Sequence, residues 1–417
     1  MSNKLIEIKG GNIIMCKVAV MGYGTIGSGV VEVLTTNKAV IAERTGEEVE
    51  VKYVLDLRDF PGSPVEKLLV KDYKVIVDDP EVEVVVETMG GVKPAYQFVK
   101  ECLENGKNVC TSNKELVAAH GPELLQIARD KNVNFLFEAS VGGGIPIIRP
   151  LTQCLTADVI EEITGILNGT TNFILTKMRD EGADFETVLK EAQELGYAER
   201  NPEADVEGYD ACRKIAILTS LAYGKQVDYN DIYTEGITKI TVEDFKYADS
   251  IGATIKLVGT GKMTDGKISA MVTPVMVKAG HPLYTVDDVF NGIYVRGNML
   301  GDSLFYGKGA GKLPTASAVV ADVVDEAKNL HENIATNWSN EPMKLTPMDE
   351  TEGRFFVRVK GVTEAQAEAA FGKLQIVKAA SLPDEFGFIT ECMKQKEYKE
   401  KISKLGGEVI AMIRVKD

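Results

Sequence analysis

The stretch CKVAVMGYGTIGSGV, residues 16–30, decides the fold of the first part of this chain. Its first half is rich in apolar and β-branched residues, which predicts a strand, and a helical pattern begins near Thr25. Gly22, Gly24 and Gly27 stand between strand and helix in the spacing G-x-G-x-x-G, and this context makes the pattern informative. Gly22 permits a tight turn, Gly24 leaves room for a pyrophosphate, and Gly27 allows close packing of the helix. The alternative interpretation is an ordinary glycine turn in an α/β protein.

A bound dinucleotide is the prediction that follows from this strand, turn and helix. Backbone amides at the helix N-terminus, among them those of Thr25 and Ile26, would face its phosphates. The surrounding chain agrees, because short β-rich runs alternate with helical stretches up to about residue 140. The predicted strands are residues 16–21, 51–57, 82–89, 108–113 and 134–140, and the helices include 25–34 and 95–105. The fold class is therefore α/β, with a doubly wound parallel sheet, a Rossmann domain, over residues 1–146.

The pattern becomes mixed beyond residue 147, which predicts a second, α+β domain that carries the catalytic groups and covers residues 147–336. Its predicted elements are strands 162–168 and 270–277 and helices 172–181, 184–195 and 208–222. A glycine-rich segment leads into one more helix near residues 314–330, which we expect to pack back onto the first domain. Its Gly307, Gly309 and Gly311 either bring backbone close to a ligand or form a tight turn, and the sequence leaves both open.

The end of the chain predicts a third, small module. Residues 337–353 are polar, contain two prolines and have no period, which is typical of a linker. Residues 354–417 follow the order βαββαβ, which predicts a ferredoxin-like fold.

Composition and charge exclude several classes of protein. The 417 residues suffice for two or three domains, and 44% hydrophobic with 26% charged residues is ordinary for a globular protein. A net charge of -15 repels phosphate backbones and anionic membranes, so we expect small-molecule partners and neither nucleic acid nor membrane. The six cysteines form no CxxC pair, and neither a signal peptide in the first 15 residues nor a long apolar run is evident. These features predict a cytoplasmic protein.

The choice of dinucleotide rests on the end of the second predicted strand, where Asp56 and Arg58 stand two residues apart. Asp56 could accept a hydrogen bond from a ribose 2′-hydroxyl, as in NAD, whereas Arg58 could pair with the 2′-phosphate of NADP. Either residue could also be a solvated charge at a strand end. The sequence leaves NAD and NADP both open.

Histidine and zinc chemistry find little support in the sequence. His120, His281 and His331 are far apart and have no ligand spacing to one another or to the cysteines, so a zinc-dependent alcohol dehydrogenase is not expected. A histidine base stays open, although a structural role is the more ordinary interpretation of each.

The segment LGYAERNPEADVEGYDACRKIAIL, residues 195–218, is the most informative for chemistry. A loop dense in carboxylates leads into a helix on which Asp210 and Lys214, four residues apart, share one face. On a surface such a pair would only stabilise the helix, by about a few tenths of a kcal/mol. The apolar residues 215–218 favour a buried helix instead. Burial disfavours the charged form of a lysine, which suits Lys214 to moving a proton to and from an alcohol or aldehyde.

Seven motifs in order carry a family resemblance: GYGTIG, VVVETMGG, NVCTSNKELVA, FEASVGGGIPII, GILNGTTNFIL, LGYAERNPEADVEGYDACRKIAIL and GKGAGKLPTASAVVADVVD. Together they resemble homoserine dehydrogenase from about residue 15 to 330. The resemblance implies NAD(P)-dependent interconversion of L-homoserine and L-aspartate 4-semialdehyde, the branch step toward threonine, isoleucine and methionine. It also implies a homodimer or homotetramer, with the second domain taking part in oligomerisation.

The same resemblance implies roles for individual residues. Lys214 is the acid/base with Asp210 in its cluster, and Lys114 is a second lysine between substrate and nicotinamide. The substrate ammonium is held by Glu199 and Asp205, helped by three further residues, Tyr197, Gly169 and Thr170. Thr88 and Gly311 lie beside the cofactor, which favours the ligand-binding interpretation of the glycine-rich segment.

A monovalent cation, usually sodium, is also implied, bound by carbonyl oxygens of Glu138, Val141, Gly143 and Ile145. From the residues alone, the triple glycine here predicts only a turn. The terminal module resembles an ACT domain, but its first loop, VKGVTEAQAEAAFGK, differs from the acidic, proline- and glycine-containing turn that binds an amino acid. Threonine feedback is therefore not predicted.

Two other functions compete with this assignment. One is a different amino-acid or semialdehyde oxidoreductase on the same architecture. The other is a dinucleotide- or amino-acid-sensing protein that has lost turnover.

Overall fold

A computed structural model describes residues 15–416, which form two compact units. The first unit contains the described residues up to Pro146 together with Ala310–Asn337, and the second contains Ile147–Gly309 and the described residues from Trp338 onward. The expected absence of a signal peptide concerns residues 1–15, almost all of which lie outside the described residues. Within the described part, no helix has the length and apolar character needed to cross a membrane.

Strands and helices alternate along most of the chain. The strands are β1 (Met15–Met21), β2 (Glu48–Leu55), β3 (Leu69–Val70), β4 (Val82–Glu87), β5 (Asn108–Thr111), β6 (Phe135–Leu136), β7 (Ile160–Ile166), β8 (Lys225–Gln226), β9 (Tyr233–Thr234), β10 (Ala253–Thr264), β11 (Lys267–Lys278), β12 (Phe290–Gly297), β13 (Gly301–Lys308), β14 (Ser339–Pro342), β15 (Glu352–Lys360), β16 (Leu374–Val377), β17 (Glu385–Thr390), β18 (Met393–Lys394) and β19 (Glu408–Lys416). The α-helices are α1 (Thr25–Thr36), α2 (Lys38–Thr45), α3 (Lys74–Val77), α4 (Ala95–Glu104), α5 (Lys114–Lys131), α6 (Gly169–Glu181), α7 (Phe185–Glu194), α8 (Glu203–Val206), α9 (Tyr209–Tyr223), α10 (Val242–Ser250), α11 (Lys312–Lys328), α12 (Glu364–Phe371) and α13 (Gln395–Ile402).

The first unit is built on a parallel sheet with the strand order β3-β2-β1-β4-β5-β6. This is the doubly wound order, in which the direction of winding reverses between β1 and β4. Valines fill the centre of β1 and β4 because both faces of a parallel sheet are covered. The predicted Rossmann fold is therefore confirmed. Sequence reasoning missed β3, and it extended the predicted strand 134–140 too far, since a 3-10 turn at Glu138–Ser140 follows β6.

Helix α11 belongs to this first unit, although it follows the second in sequence. It packs against α1, where Gly29 lies so close to α11 that an added Cβ would stand 3.0 Å from the side chain of Ala316. Val319 and Val323 of α11 join the buried cluster that holds the valines of β1 and β4. The absence of a side chain at Gly29 therefore brings the two helices together over one face of the sheet.

The second unit is built on an 11-stranded mixed sheet. Its main path runs β13-β12-β7-β10-β11-β19-β15-β17-β16. The long hairpin of β10 and β11 turns at Asp265 and Gly266, both with positive φ, as Asp-Gly hairpin turns require. Helices α6, α9 and α10 pack on these strands. Sequence reasoning found β7 and the core of β11 but missed β10, β12 and β13. The residues of β10 and β12 are mostly buried without a clear alternation, whereas those of β13 alternate between half-buried and exposed positions.

The predicted βαββαβ order is present at the end of the chain, with β18 as an addition. Its strands do not form a separate sheet, because β19 pairs antiparallel with β15 on one side and parallel with β11 on the other. The segment 337–353, predicted as a linker, contains β14, which pairs with β8, and the beginning of β15. A short strand can form there without a hydrophobic period because β14 is held by backbone hydrogen bonds and is exposed on every residue.

Candidate active site

The glycine turn after β1 has the geometry that a dinucleotide needs. Gly22 has a φ of 97°, and its N–H donates to the carbonyl of Leu55 at 2.8 Å. Gly24 precedes α1 with open space on the side where a Cβ would stand, whereas a Cβ on Gly27 would overlap the carbonyl oxygen of Gly22. Thr88, at the end of β4, donates its hydroxyl to the carbonyl of Gly22 at 2.9 Å. The free amides of the first turn of α1, which includes Thr25 and Ile26, therefore open onto the edge where the two halves of the sheet diverge.

Asp56 and Arg58, the two candidates for reading the ribose, form an ion pair. Arg58 donates from Nε to Asp56 Oδ1 at 3.0 Å and from Nη2 to Asp56 Oδ2 at 2.8 Å. Asp56 also accepts from the backbone N–H of Tyr23 at 2.9 Å. The Arg58 side chain is 63% exposed and that of Asp56 is 9% exposed, so the guanidinium is the accessible partner. Hydrogen bonds from Arg58 hold the pKa of Asp56 well below its usual range.

Glu87, at the end of β4, organises the neighbouring loops and was missed by sequence reasoning. It is fully buried and accepts from Thr111 Oγ1 at 2.6 Å and from the N–H of Met89 at 2.7 Å. Burial raises the pKa of this carboxyl. Asn113 donates to the carbonyl of Gly91 at 2.6 Å and caps α5, whose first residue is Lys114. The loop that carries Thr88 and the turn that carries Lys114 are thus tied together within the first unit.

The turn after β6 contains the predicted metal ligands Glu138, Val141, Gly143 and Ile145. Gly142 and Gly143 have φ values of 73° and 55°, which only glycine adopts readily. Among the described residues, the carbonyls of Phe137 and Gly142 accept the backbone hydrogen bonds of this turn. The carbonyls of Val141, Gly143 and Ile145 accept no backbone hydrogen bond there. Buried carbonyl oxygens of this kind suit a hard cation.

Lys214 occupies a nearly buried position on α9 in the second unit. Its ammonium donates to Asp210 Oδ2 at 2.7 Å and to the carbonyl of Leu167 at 2.7 Å. The side chains of Lys214 and Asp210 are 11% and 7% exposed, so this is a desolvated pair and not a surface contact. The apolar residues that predicted burial of α9 are buried, among them Ile215 and Leu218. The Asp210 carboxylate stabilises the charged ammonium against the cost of burial.

Asn168 connects the carboxylates of this cluster and was not among the predicted site residues. Its side-chain amide donates to Asp210 Oδ2 at 2.9 Å and to Asp205 Oδ1 at 2.7 Å. Its side-chain oxygen caps α6 by accepting from the N–H of Thr171 at 2.9 Å. The asparagine before Gly169 is a common N-cap signal, which could have drawn attention to it.

Three of the other residues predicted to hold the substrate make contacts at the start of α6. Thr170 donates its hydroxyl to the carbonyl of Tyr197 at 2.6 Å, and the Tyr197 ring packs edge-on against Phe173. Gly169 lies against the carbonyl of Val289, where a Cβ would stand only 2.8 Å away. Glu199, the other carboxylate implied to hold the substrate ammonium, is exposed on the loop after α7.

Comparison with known proteins gives the family. The chain matches the family model for the NAD-binding domain of homoserine dehydrogenase over residues 22–138 and the homoserine dehydrogenase model over residues 146–324. The Pseudomonas aeruginosa homoserine dehydrogenase is 39% identical over 394 residues, with 92% of this chain and 89% of the relative covered. That of Bacillus subtilis is 44% identical over 326 residues, covering 77% and 75%. This chain belongs to the homoserine dehydrogenase family.

Solved homoserine dehydrogenases share its architecture. The Thiobacillus denitrificans structure superimposes with a TM-score of 0.87 at 35% identity, covering 97% of this chain and 99% of that one. A hyperthermophilic archaeal homoserine dehydrogenase in complex with NADPH gives a TM-score of 0.63 at 26% identity, covering 75% and 98%. The chain is accordingly an NAD(P)-dependent oxidoreductase with homoserine dehydrogenase function.

The predicted site residues fall into two groups, one in each unit of this homoserine dehydrogenase. The structure brings Lys214, Asp210, Asp205, Gly169 and Thr170 together around the start of α6. The dinucleotide turn, Thr88, Lys114 and the carbonyl turn all belong to the first unit. Gly311, which also belongs there, has a φ of 118° and precedes α11 directly. The convergence of Lys114 and Lys214 stays a prediction.

Proposed function

We propose that Lys214 is the proton-transfer group for the interconversion of L-homoserine and L-aspartate 4-semialdehyde. The observation that carries this assignment is the nearly buried ammonium held between Asp210 and the carbonyl of Leu167. An ammonium has three N–H donors, and these two acceptors leave one for the oxygen on C4 of the substrate. Lys214 would donate a proton to this oxygen during reduction of the aldehyde and accept it back during oxidation of the alcohol. The bound NAD(P) supplies the hydride or accepts it.

The substrate ammonium is assigned to the carboxylate side of the same cluster. Asp205, half-buried and oriented by Asn168, supplies negative charge close to the Lys214 cluster. Glu199 would take part from the exposed loop beside Tyr197, and Gly169 and Thr170 would contribute backbone and hydroxyl groups. A site that pairs a cation in a partly desolvated place should reject analogues without the amino group by large factors. Lys114 is proposed to be the second lysine, between substrate and nicotinamide, as the family resemblance implies.

The Lys214→Met variant tests the proton-transfer assignment. We expect turnover at saturating homoserine to fall by about 10²–10⁴-fold, the usual contribution of general acid/base catalysis. The matched control is Lys401→Met, which removes an i,i+4 ion pair with Glu397 on α13 and a 3.4 Å contact with the carbonyl of Phe371. It should leave turnover unchanged, because neither partner is assigned to the site. A loss of less than about tenfold in Lys214→Met would contradict the assignment. A screen of other hydroxy amino acids, followed through NAD(P)H absorbance, tests the competing oxidoreductase activities.

NADP is the dinucleotide that we propose as preferred. Asp56 is occupied by Arg58 and by the N–H of Tyr23, which leaves the exposed guanidinium as the group available to the ribose. Arginine recognises phosphate through paired hydrogen bonds. The archaeal relative solved with NADPH is consistent with this preference.

The Arg58→Ala variant should therefore lower kcat/KM for NADP by about tenfold or more, the equivalent of one charge-assisted hydrogen bond. With NAD, kcat/KM should stay the same or rise, because Asp56 then becomes available to a ribose hydroxyl. Arg44→Ala, at an exposed arginine on α2, is the control. Equal losses with both dinucleotides would refute the proposed preference.

A monovalent cation is proposed at the carbonyls of Glu138, Val141, Gly143 and Ile145. Three of these carbonyls lack a backbone donor in the described turn, which suits the residues to a cation. A bound sodium would offset the concentrated carbonyl dipoles and stiffen the turn. Thermal stability measured in sodium and in a bulky organic cation of equal ionic strength should differ, and identical values would count against the site.

We also propose a cellular role, a regulatory behaviour and an assembly state for the enzyme. We place the enzyme in threonine, isoleucine and methionine biosynthesis, and complementation of an auxotroph would test this role. Its free cysteines favour the cytoplasm.

The terminal module is proposed to be ACT-like without threonine feedback, so threonine should leave the rate unchanged. Exposed apolar side chains on and beside the edge strand β13 favour a homodimer or homotetramer. These side chains are Leu300, Leu304 and Tyr306. Light scattering would give the oligomeric state.

A further inference from the structure

Lys256 is a fully buried cation on β10, at a distance in sequence from every predicted site residue. Its side chain is 1% exposed, and its ammonium has three acceptors. These are the carbonyl of Val286 at 2.6 Å, Asp287 Oδ1 at 2.7 Å and Asn172 Oδ1 at 3.2 Å. All three donors of the ammonium are therefore used within the protein. A lysine without a free donor is suited to holding structure in place and not to transferring protons.

Such an arrangement is costly, because burying a charge is unfavourable even when it is paired. An apolar side chain of similar size would often be as stable at this position. Burial lowers the pKa of Lys256, and Asp287 opposes this effect. Asp287 also accepts from Arg179 Nη1 at 2.9 Å, so one carboxylate joins two cations from β10 and α6. The buried charge at this position therefore indicates that the hydrogen bonds of Lys256 are needed to hold the surrounding segments in place.

The contacts of Lys256 fasten residues 286–290 to α6. Asn172, on the first turns of α6, donates to the carbonyls of Val286 and Phe290, both at 3.1 Å. The N–H of Asp288 donates to Thr176 Oγ1 at 3.1 Å. Lys256 closes this set of contacts from the sheet, since it binds Asn172 and residues 286–287 at the same time.

The fastened segment ends against the start of α6. The carbonyl of Val289 lies where Gly169 has no room for a side chain, so a shift of residues 286–290 would move directly into the NGTT segment. Asn168, one residue earlier, holds Asp205 and Asp210. Displacement of the first turn of α6 would therefore change the place of the carboxylates and of Lys214.

We propose that Lys256 is a positioning residue for the amino-acid substrate, which it never touches: by locking residues 286–290 against α6 it sets the place of Asn168, Gly169 and Thr170. The inference rests on the proposed assignment of Gly169, Thr170 and the Asp205 carboxylate, which Asn168 orients, to the substrate. It goes beyond that assignment because it makes substrate affinity depend on a buried ion pair outside the site.

The experiment compares two buried lysines. Lys256→Met keeps the length of the side chain but loses the three hydrogen bonds, and we expect KM for homoserine to rise by about tenfold or more while KM for NADP changes less than about twofold. The matched control is Lys107→Met, since Lys107 is also buried and donates to the carbonyls of Asp79 and Val82 in the first unit. It should lower thermal stability to a similar degree and leave KM for homoserine unchanged.

A milder variant covers the case in which Lys256→Met does not fold. Asp287→Asn keeps the shape of the side chain, weakens its bonds to Lys256 and Arg179, and should raise KM for homoserine by about threefold with KM for NADP unchanged. Equal changes in both KM values, or lower stability with an unchanged KM for homoserine, would overturn the inference. If Lys214→Met remains active, the site assignment itself fails. If Lys214→Met is inactive and the Lys256 and Asp287 variants are kinetically silent, only the positioning role fails.

Discussion

Glu326, on α11, is a carboxyl group with both oxygens buried. It lies one helical turn from Asp322, whose Oδ2 accepts from the N–H of Glu138, and beside the buried thiol of Cys110. Burial, reinforced by the charge of Asp322, raises the pKa of Glu326 well above its usual value of 4.5. Helical periodicity would place an apolar residue here, so this group is invisible to pattern reasoning.

The pH dependence of stability follows from that shift. Because the folded protein keeps the proton to higher pH than the unfolded chain, the stability contributed by Glu326 is complete below about pH 4.5 and declines as pH rises. Glu326→Gln removes the titration. In chemical denaturation, the free energy of unfolding of the variant should exceed that of the wild type. The difference should grow by up to about 1.4 kcal/mol for each pH unit above pH 4.5. Glu332→Gln, at an exposed position after α11, should show no such gain, and a flat difference for Glu326→Gln would contradict the raised pKa.

The turn between β1 and α1 contains one glycine needed for packing of the helix and another needed for ligand binding. A Cβ at Gly24 meets no protein atom within 4 Å, whereas a Cβ at Gly27 overlaps the carbonyl of Gly22 and stands 2.9 Å from Thr88 Oγ1. The two glycines therefore have different physical roles. Gly27 permits the helix to approach the strand, and Gly24 keeps space open for a ligand.

Alanine at each position distinguishes these roles. Gly24→Ala should leave the thermal midpoint unchanged and raise KM for the dinucleotide by about tenfold, because the methyl group occupies the space needed by the pyrophosphate. Gly27→Ala should raise the same KM and also destabilise the protein by about 1–3 kcal/mol through overpacking. Calorimetry and initial rates measure both effects. Normal dinucleotide kinetics in Gly24→Ala would exclude the proposed approach of the phosphates.

At the scale of the molecule, the terminal βαββαβ module is continuous with the second unit. Besides the pairing of β19 with β11, Arg358 of β15 donates to Glu385 at 2.7 Å and to Asp244 of α10 at 3.2 Å. All three side chains are buried or nearly so, and Asp244 is 1% exposed. Burial raises the pKa of Asp244 and Arg358 opposes the effect. The module is thus joined by a buried ion cluster as well as by backbone hydrogen bonds.

Arg358→Met should consequently destabilise the second unit and not only the terminal module. Removal of one partner from a buried ion cluster usually costs about 3–5 kcal/mol, because a carboxylate is left buried and unpaired. Lys373→Met removes an exposed pair with Glu391 in the same module and should cost less than about 0.5 kcal/mol. If proteolysis of Arg358→Met released an intact core of the second unit at unchanged stability, the module would be independent after all.

Local patterns along the chain were enough to predict the Rossmann domain, the glycine turn, the buried face of α9 and the βαββαβ order, because period and spacing are properties of neighbouring residues. They also placed Lys214 beside Asp210. Only the folded chain shows that Asn168 joins two carboxylates, that Lys256 holds residues 286–290, and that β19 lies between β11 and β15. These are contacts between distant segments, in which a buried polar group obtains its partner from another element. No local pattern encodes that partner, so packing decides it.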